Sequence, residues 1–374
     1  MRKVLFIVPS LMRAGAETQL IDLIGGLPKE EFGKYLLSFE SNLDQLSRVN
    51  RKEVSFRHVP RRYKYDFGVA KAAAKLIDQE QIDVVHCTLQ IALFVGWLGI
   101  KLARRKPLLM VTVHTTMNRA FREEAFDRVL YQWLMRGCLK VIFVCERQAE
   151  HWQRKFTFLK SRAVVVHNGI DAEHFSRESF EEVGRQLKAQ LGIPVDAIVV
   201  CNVAAFRPEK GHKILLAAFA SVLRNHPNTY LLFAGDGPIR SSIEEQARHE
   251  QLDGCIRFLG NIPDVRPLLA GSNISVLAST SETFSMAMLE SLAMEVPMVA
   301  TDIGGASEAI QEGRTGLLVP PADASALASA IEHLIKDHSV RRQMGQAGRA
   351  LIKERFTQRG MRVATSEVLK AVRC

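Results

Sequence analysis

Short apolar runs alternate with stretches of helical periodicity along almost the whole chain, and this alternation limits the possible folds more than any other feature. The runs are rich in Val, Ile and Leu, as is typical of strands that a parallel sheet buries on both faces. Between them, apolar residues recur at helical spacing, as at Leu20, Leu23, Ile24 and Leu27. Repeated alternation predicts an α/β fold with doubly wound parallel sheets. The predicted strands are 4–9, 35–40, 84–87, 108–114, 140–145, 164–167, 198–203, 230–234, 256–259, 274–278, 297–301 and 316–319.

The length of 374 residues predicts two domains, because one hydrophobic core rarely organises so long a chain. A polar and charged stretch at 171–195 interrupts the series of strands, so we expect domains at 1–172 and 173–357. With 47% hydrophobic residues and a mean hydropathy near zero, the composition is that of a globular protein. The first apolar run is predicted to be a strand rather than a secretory signal, and the longest, 91–100, is too short to cross a bilayer. We therefore expect a cytoplasmic protein.

Positive charge is concentrated in the first half of the chain. Residues 1–175 contain 28 Lys and Arg against 18 Asp and Glu, whereas the rest contains 22 of each. Such an excess suits an anionic membrane surface, to which each nearby cation contributes about 1 kcal/mol. Nucleic acid is the competing partner, but no recognised binding module accompanies the charge, so we do not expect it; ordinary solvated side chains are the alternative for any single cluster. The densest clusters consist of Arg51, Lys52, Arg57, Arg61, Arg62 and Lys64, and of Lys101, Arg104, Arg105 and Lys106.

The stretch from Ser281 to Glu290 lies at a predicted junction between a strand and a helix. Ser281 and Thr283 are candidate N-caps of that helix. The N–H groups of 284–286 and the positive end of the helix dipole would then form a phosphate site. Glu282 and Glu290 bracket the site, about 12 Å apart if the whole segment were helical, which is roughly the reach from a sugar across a diphosphate to a ribose. An ordinary capped core helix with one solvated glutamate is the alternative interpretation.

Two earlier loops of the second domain carry further candidates. Arg207 and Lys210 follow a predicted strand, where two cations could neutralise a diphosphate, although surface pairs of this kind are common. Gly235 and Gly237 follow the next strand and permit a tight turn under a ligand. Arg240 stands where the third glycine of a dinucleotide fingerprint would fall, and this argues against a bound dinucleotide.

The polar candidates of the first domain also lie near strand ends. In a doubly wound sheet, ligands gather at the carboxyl ends of the strands. Gly15 and Glu17 follow the first predicted strand, His86 lies in the third, and His114 ends the fourth. A structural histidine is the usual alternative, and the position at a strand end favours His114 over His86 as a ligand-binding residue.

Together these motifs resemble those of the retaining glycosyltransferases of family 4, group 1 type, and the resemblance extends over nearly the whole chain. It implies the GT-B fold, in which two Rossmann-like domains face each other across a cleft. The first domain would bind the acceptor, the second would bind a nucleotide sugar, and the C-terminal helix 358–374 would pack back on the first. The motifs that carry the resemblance are Gly15-Ala16-Glu17, His167-Asn168-Gly169-Ile170-Asp171, Arg207-Pro208-Glu209-Lys210-Gly211, Gly235-Asp236-Gly237-Pro238, Glu282 with Glu290, and Gly304-Gly305 with Glu308.

The resemblance also implies a role for each candidate residue. Arg207 and Lys210 would contact the diphosphate, whereas Glu282 and His114 would lie at the transferred sugar. Departure of the diphosphate concentrates negative charge, so two cations and a helix N-terminus in a closed, water-poor site would stabilise it. The implied donor-binding residues are Gly15, whose backbone closes over the phosphates, Phe258 and Leu259 at the base, Phe284, Ser285 and Met286, which present N–H groups to the phosphates, and Glu290 at the ribose hydroxyls.

The implied activity is transfer of a sugar, with retention, from a nucleotide sugar such as a UDP-sugar to a hydroxyl acceptor in bacterial cell-surface polysaccharide or glycolipid synthesis. The placement of charge favours a lipid-linked or membrane-proximal acceptor. No Asp-x-Asp stands at a predicted strand end and the six cysteines lack metal-ligand spacing, so neither a metal nor a cofactor is expected. The alternatives are a non-catalytic nucleotide-sugar or membrane binding protein, a nucleotide-sugar epimerase, and a phosphorylase, for which no pyridoxal-linked lysine context is found.

Three positions depart from the family pattern. Thr283 and Ser285 stand where the family commonly has glycine, so their hydroxyls could bind sugar or phosphate, or could narrow the pocket. Glu295 stands where a glycine usually closes the helix, and we therefore expect that helix end to be less tightly turned.

Overall fold

The computed structural model describes residues 1–63, 66–114 and 121–371, and for 121–128 it describes the backbone alone. Lys64 of the basic clusters and residues 372–374 of the predicted last helix lie outside the described residues. The chain divides into two compact units. Unit 1 consists of Met1–Gly169 and the segment from Gln358 onward, and unit 2 of Ile170–Thr357.

Unit 1 is built on a parallel sheet of seven strands. Alternate residues of its first strand show how helices come to cover both faces: Leu5 and Ile7 join one hydrophobic core, whereas Val4 and Phe6 join the other, because successive side chains of a strand point to opposite faces. The strands are β1 (Arg2–Val8), β2 (Phe32–Ser38), β3 (Val54–His58), β4 (Val84–Thr88), β5 (Leu108–Val113), β6 (Lys140–Phe143) and β7 (Ala163–Val165). The helices between them are α1 (Gly15–Gly26), α2 (Phe67–Glu80), α3 (Gln90–Leu102), α4 (Phe121–Arg136) and α5 (Glu146–Lys155).

Unit 2 repeats this architecture with a parallel sheet of six strands and its own cores on the two faces. The strands are β8 (Ile198–Val203), β9 (Thr229–Ala234), β10 (Ile256–Phe258), β11 (Ile274–Leu277), β12 (Met298–Thr301) and β13 (Gly316–Val319). The helices are α6 (Glu181–Gln190), α7 (His212–Asn225), α8 (Arg240–His249), α9 (Arg266–Ala270), α10 (Met286–Ala293), α11 (Ala306–Ala309), α12 (Ala324–Lys336) and α13 (His338–Arg355). Both sheets confirm the predicted α/β fold with doubly wound parallel strands.

Each sheet contains one place where the strand order reverses. Unit 1 has the order β3-β2-β1-β4-β5-β6-β7, so the reversal lies between β1 and β4. Unit 2 has the order β10-β9-β8-β11-β12-β13, and its reversal lies between β8 and β11. The loops that leave the two central strands there run to opposite faces, which opens a crevice at the carboxyl ends. These reversals are therefore the positions at which ligand sites are expected.

The last helix, α14 (Gln358–Ala371), belongs to unit 1 and packs against α1. Arg362 Nε donates a hydrogen bond of 2.9 Å to the carbonyl oxygen of Asp22, and Met361 and Leu369 enter the core beside α1. The helix therefore covers one face of the first sheet. In the part of the chain that the structure describes, no helix is long and apolar enough to cross a bilayer.

One strand of unit 1, β3, is not among the predicted strands. It lies at the sheet edge, and only alternate side chains are turned inward: Val54 is buried, whereas Ser55 and Arg57 are exposed. A strand of this kind lacks the continuous apolar run that marks the buried strands. All twelve predicted strands are present, with small shifts at their ends.

Candidate active site

The loops that carry the predicted charged residues of unit 2 leave neighbouring strands at the reversal of strand order. Arg207 and Lys210 follow β8 and Glu282 follows β11, and the two strands are paired with Ile274 opposite Val200. Because carboxyl ends of parallel strands lie at one edge, the topology brings these three charged side chains to the same crevice.

A single 3-10 turn, Pro208–Lys210, presents the two cations. Gly211 ends the turn with a φ of 67°, and a Cβ atom there would collide with the carbonyl group of Ala278 in the loop after β11. The N–H group of Thr280 donates a hydrogen bond of 2.8 Å to the carbonyl oxygen of Glu209. The two loops are thus fixed to each other through their backbones, and the glycine is required by this close approach.

Lys210 and Glu282 form a salt bridge between Nζ and Oε2. Their side chains are 22% and 21% exposed. The other carboxylate oxygen of Glu282, Oε1, accepts a hydrogen bond of 3.1 Å from the N–H group of Thr283. Both carboxylate oxygens of Glu282 are therefore engaged, one by a cation and one by backbone.

Arg207 is half-buried at the start of the same turn. With the residues that the structure describes, its guanidinium makes no hydrogen bond and no ion pair. Since Lys210 and Glu282 neutralise each other, the local charge of this group of three side chains is that of Arg207.

The glycine loop after β12 supports the segment that carries Glu282. Gly304 has a φ of 52°, and a Cβ atom there would collide with the carbonyl oxygens of Glu282 and Thr283. Gly305 donates its N–H group to the carbonyl oxygen of Thr283 over 2.7 Å. The resemblance to the family includes these two glycines, and the structure shows that they pack against the Glu282 backbone.

The helix after Glu282 begins later than the capping residues predict. Helix α10 starts at Met286, and its N-cap is Ser285, whose side chain makes no capping hydrogen bond. The prediction that Ser281 or Thr283 caps the helix is therefore wrong. The segment before Ser285 bends instead of forming a helical turn, with Phe284 buried and its ring 5.4 Å from that of Phe356. Of the three residues predicted to present N–H groups to phosphate, only Met286 belongs to the first turn of the helix, whereas Phe284 and Ser285 precede it.

The two hydroxyl residues that replace family glycines lie beside the glutamate. Thr283 is buried and Ser285 is half-buried. Both line a small pocket together with Glu282, Ser279 and Thr301, and the hydroxyl of Ser279 is buried without a hydrogen-bond partner among the described residues. Apolar side chains, among them Leu277, Met288 and Ile303, complete the lining, and Thr283 and Ser285 reduce the volume of the pocket relative to glycine.

The far end of α10 is turned as tightly as a glycine would turn it. Glu295 adopts the left-handed conformation with a φ of 57°, so the expectation of a looser end is wrong. The turn is held from outside: Arg349 donates to the carbonyl oxygen of Ala293 and lies 3.7 Å from a carboxylate oxygen of Glu295. Gly345 approaches the Glu295 backbone so closely that a Cβ atom would collide with it. These contacts offset the strain of a non-glycine residue in this conformation.

Glu290 lies within α10 and is half-buried. Burial, and to a smaller extent the charge of Asp264, raise the pKa of Glu290 from 4.5 to about 7. Asp264 is held by Arg266 through two bonds, of 2.7 and 2.8 Å between the guanidinium and the two carboxylate oxygens. Asp264 is not among the predicted site residues, and its place shortly after β10 at the carboxyl edge of the sheet is the signal that could have indicated it.

The residues predicted to face the base belong to the edge strand β10 and its end. The ring of Phe258 stacks on Phe233 with centroids 5.3 Å apart, and the N–H group of Leu259 donates to the Phe233 carbonyl oxygen over 2.9 Å. That N–H is therefore occupied within the sheet. Gly235 lies nearby with a φ of 144° and packs against the Ala204 carbonyl, where a Cβ atom would collide. This geometry agrees with the tight turn that the sequence predicts.

In unit 1 the two histidines differ in their surroundings. His86 is buried inside β4, and its Nε2 lies 2.9 Å from the hydroxyl of Thr112. His114 directly follows β5 and is half-buried. Burial lowers the pKa of each to about 4, with His114 as a further cause for His86, so both imidazoles are neutral at pH 7. Only His114 stands at the carboxyl edge, as the sequence indicates.

The predicted glycine loop of unit 1 is shorter than expected, because α1 already begins at Gly15. Glu17 lies in the first turn of this helix, where the dipole favours a carboxylate, and it is buried. Ser10 donates a hydrogen bond of 3.1 Å to Glu17 Oε1. Over the described parts of both units, no group of three or more His, Cys, Asp or Glu residues is arranged to hold a metal ion.

Two family models match the chain, one in each half. The model described as Glycosyltransferase Family 4 matches residues 13–174, and the model described as Glycosyl transferases group 1 matches residues 184–351. The chain belongs to the family 4 glycosyltransferases of group 1. In this glycosyltransferase, the second match includes Arg207, Lys210, Glu282 and Glu290, so the crevice of unit 2 lies within it.

Relatives of this glycosyltransferase differ in the reactions for which they are named. It is 26% identical to N-acetyl-alpha-D-glucosaminyl L-malate synthase of Bacillus anthracis, over 82% of this chain and 78% of the relative. It is 32% identical to the lipopolysaccharide core biosynthesis glycosyltransferase LpsE of Rhizobium meliloti, over 49% of this chain and 52% of the relative. The structure of Anabaena Alr3699/HepE in complex with UDP and glucose matches all of both chains with a TM-score of 0.86 at 21% identity, which shows the GT-B fold of this glycosyltransferase.

Proposed function

We propose that this glycosyltransferase moves a sugar from a nucleoside-diphospho-sugar, such as a UDP-sugar, to an acceptor hydroxyl, with retention and without a catalytic metal. The observation that carries the proposal is that Arg207, Lys210 and Glu282 share one crevice, at the reversal of strand order. Two cations match the charge of a diphosphate, and the carboxylate matches a sugar hydroxyl. Helix α10 follows directly and adds the positive end of its dipole at Met286.

The charged side chains would rearrange when the donor binds. Lys210 exchanges the carboxylate of Glu282 for the diphosphate, and Glu282 is then free to accept a hydrogen bond from the transferred sugar. Arg207 and Lys210 face the negative charge that grows on the departing diphosphate, which is the form of stabilisation that lowers a barrier most effectively. Glu290 in its ionised form accepts hydrogen bonds from the ribose hydroxyls, and the backbone around Phe258 and Leu259 would contact the base.

The first unit contributes the acceptor side in this proposal. Its neutral His114 would lie near the transferred sugar as a hydrogen-bonding group rather than as a cation, and Gly15 would bring backbone to the phosphates. The names of the relatives support a sugar or lipid-linked acceptor in cell-surface polysaccharide or glycolipid synthesis, although the B. anthracis relative is named for L-malate. The excess of Lys and Arg in residues 1–175 supports attraction to an anionic membrane, weakening as salt is added.

The proposal is tested by incubating the full chain with UDP-sugars and GDP-sugars and measuring released nucleoside diphosphate. Release that continues in EDTA and is lost in Arg207→Ala supports it. Inhibition by EDTA would contradict metal independence. Binding without release would indicate the non-catalytic alternative, and conversion of the donor sugar without release would indicate an epimerase. Retention is checked by the anomeric configuration of the product.

A further inference from the structure

An exposed aromatic surface of unit 1 takes no part in the proposed site. Trp97 on α3 and Trp133 on α4 pack against each other with ring centroids 4.6 Å apart. Trp133 is 54% exposed, and Val129, one turn earlier on the same helix face, is 73% exposed. The third tryptophan of the chain, Trp152, is buried. Apolar side chains of this size are rarely left in water together without a partner.

Cations border these two tryptophans. The ammonium of Lys101 lies 5.7 Å from the ring centroid of Trp97, and Arg136 is exposed one turn after Trp133. Of the six Lys and Arg in residues 97–106 and 129–140, Arg105 pairs with Asp83 and Lys106 donates to backbone carbonyl groups at the end of α3. We call Trp97, Lys101, Val129, Trp133 and Arg136 the Trp97–Trp133 surface. It combines exposed apolar area with positive charge.

The topology of unit 1 places this surface away from His114. Both tryptophans lie in the last two turns of helices that lead into β5 and β6, and therefore near the amino ends of these strands. His114 follows the carboxyl end of β5. The two edges of one parallel sheet thus carry different features: the ligand-binding candidate on one and the Trp97–Trp133 surface on the other.

We propose that the Trp97–Trp133 surface docks this protein on an anionic lipid bilayer. The inference deepens the membrane part of the proposed function and rests on it. Tryptophan is the residue enriched at the boundary between headgroups and acyl chains, and Lys101 and Arg136 beside it match anionic headgroups. A second copy of the chain is a poorer occupant, because a symmetric contact would place the same cations against each other.

The experiment compares vesicles of phosphatidylcholine alone with vesicles that also contain phosphatidylglycerol, and measures co-sedimentation of the full chain. We expect binding to the anionic vesicles that weakens with added salt. Trp133→Ser should lower the partition coefficient about tenfold, and Lys101→Gln with Arg136→Gln about 25-fold, because each cation near the headgroups accounts for about a fivefold change. Lipids brominated in the acyl chains should quench tryptophan fluorescence, and Trp133→Phe should bind while losing part of that quenching.

Two matched controls separate this surface from general effects of charge and apolar area. Phe67→Ser removes a side chain that is 53% exposed at the start of α2, on the opposite edge of the sheet. Arg51→Gln with Lys52→Gln removes two cations beside β3, which three strands separate from β5. Both should bind vesicles within twofold of the unchanged chain. Nucleoside diphosphate release in solution should be the same for all variants, and thermal melts should show that each variant is folded at the assay temperature.

Unchanged vesicle binding by Trp133→Ser and by the Lys101 and Arg136 variant would overturn the proposal, as would equal binding to uncharged vesicles. If only the variant of Arg51 and Lys52 lost vesicle binding, the proposed attraction to the membrane would stand, but the Trp97–Trp133 surface would be rejected as the docking site. A dimer in light scattering that Trp133→Ser abolishes would identify a second copy as the occupant and so also reject it. Vesicle binding without any nucleoside diphosphate release would reject the proposed activity and leave the docking surface standing.

Discussion

Lys210 and Glu282, which are 72 residues apart in the sequence, form a salt bridge at the paired strands β8 and β11. One is the cation proposed for the diphosphate and the other the carboxylate proposed for the sugar. Each side chain is about one-fifth exposed, so water reaches the pair but screens it only in part. We propose that the two side chains exchange this mutual contact for the diphosphate and the sugar.

Replacing Glu282 should separate catalysis from nucleotide binding. In Glu282→Gln the sugar loses a charged hydrogen-bond acceptor, and we expect kcat to fall about 10- to 100-fold. Lys210 loses its partner and becomes available to phosphate, so the affinity for nucleoside diphosphate should stay the same or rise up to about fivefold. Steady-state kinetics and titration calorimetry measure the two effects. Weaker nucleotide binding in Glu282→Gln would contradict the exchange of partners.

Donor binding should weaken on acidification because of Glu290. Its pKa of about 7 means that only about one-tenth of the chains carry an ionised Glu290 at pH 6. If the ionised form binds the ribose, the donor Kd should be about tenfold higher at pH 6 than at pH 8. Glu290→Gln should bind the donor weakly at both values and lose most of this pH dependence. A pH-independent Kd in the unchanged chain would exclude the ribose role.

The carboxyl group of Glu290 should also affect the free energy of unfolding. Because the pKa of Glu290 is raised in the folded state, that state binds more protons than the unfolded one between pH 4.5 and about 7, and stability falls as pH rises through this window. Glu290→Gln removes the carboxyl group, so the folded chain no longer has to ionise a buried side chain at high pH. We therefore expect this variant to melt at a higher temperature than the unchanged chain at pH 8, with the difference disappearing near pH 4.

Gly304→Ala should impair both the fold and the transfer, whereas Gly313→Ala should affect the fold alone. Both glycines have a positive φ, of 52° and 71°, so alanine costs about 1–2 kcal/mol at either. At Gly304 the added Cβ atom also meets the backbone of Glu282 and Thr283, whereas at Gly313 nothing lies within 4 Å. Equal turnover in the two variants, after correction for the folded fraction, would show that the Glu282 loop does not depend on this contact.

His114→Ala should slow transfer about 10- to 100-fold and change nucleoside diphosphate affinity less than twofold, because the imidazole is proposed to contact the sugar. Since the pKa of His114 is about 4, its titration should add no step to the rate between pH 6 and 8. His86→Ala is the comparison: it removes a buried partner of Thr112 and should lower the melting temperature. A His114→Ala chain that transfers sugar at the normal rate would remove this residue from the site.

Much of the fold could be predicted because buried parallel strands have a local signature. Runs such as Val4–Val8 are apolar throughout. In β3, buried and exposed side chains alternate, so this strand lacks the signature and is not predicted. The order of strands follows from none of these local patterns. Knowing only that Arg207 and Glu282 follow strands, one expects them at one edge of a sheet, but their proximity depends on β11 pairing with β8.

The details of the candidate site depend on tertiary contacts that local sequence does not reveal. Helix α10 starts only after the buried Phe284, and the left-handed Glu295 is contacted by Arg349 and Gly345 of α13. Propensity favours glycine at such a helix end, and packing overrides it. The raised pKa of Glu290 likewise requires burial and a distant Asp264.

The length of β5 has a consequence for the acceptor. This strand has six residues, so about 20 Å separates its amino end, near the Trp97–Trp133 surface, from His114 at its carboxyl end. If the surface rests on headgroups and the transferred sugar lies at His114, a lipid-borne hydroxyl must reach across that height. If both proposals hold, we expect lipids whose headgroup is a short oligosaccharide to be better acceptors than lipids with a bare hydroxyl at the bilayer surface.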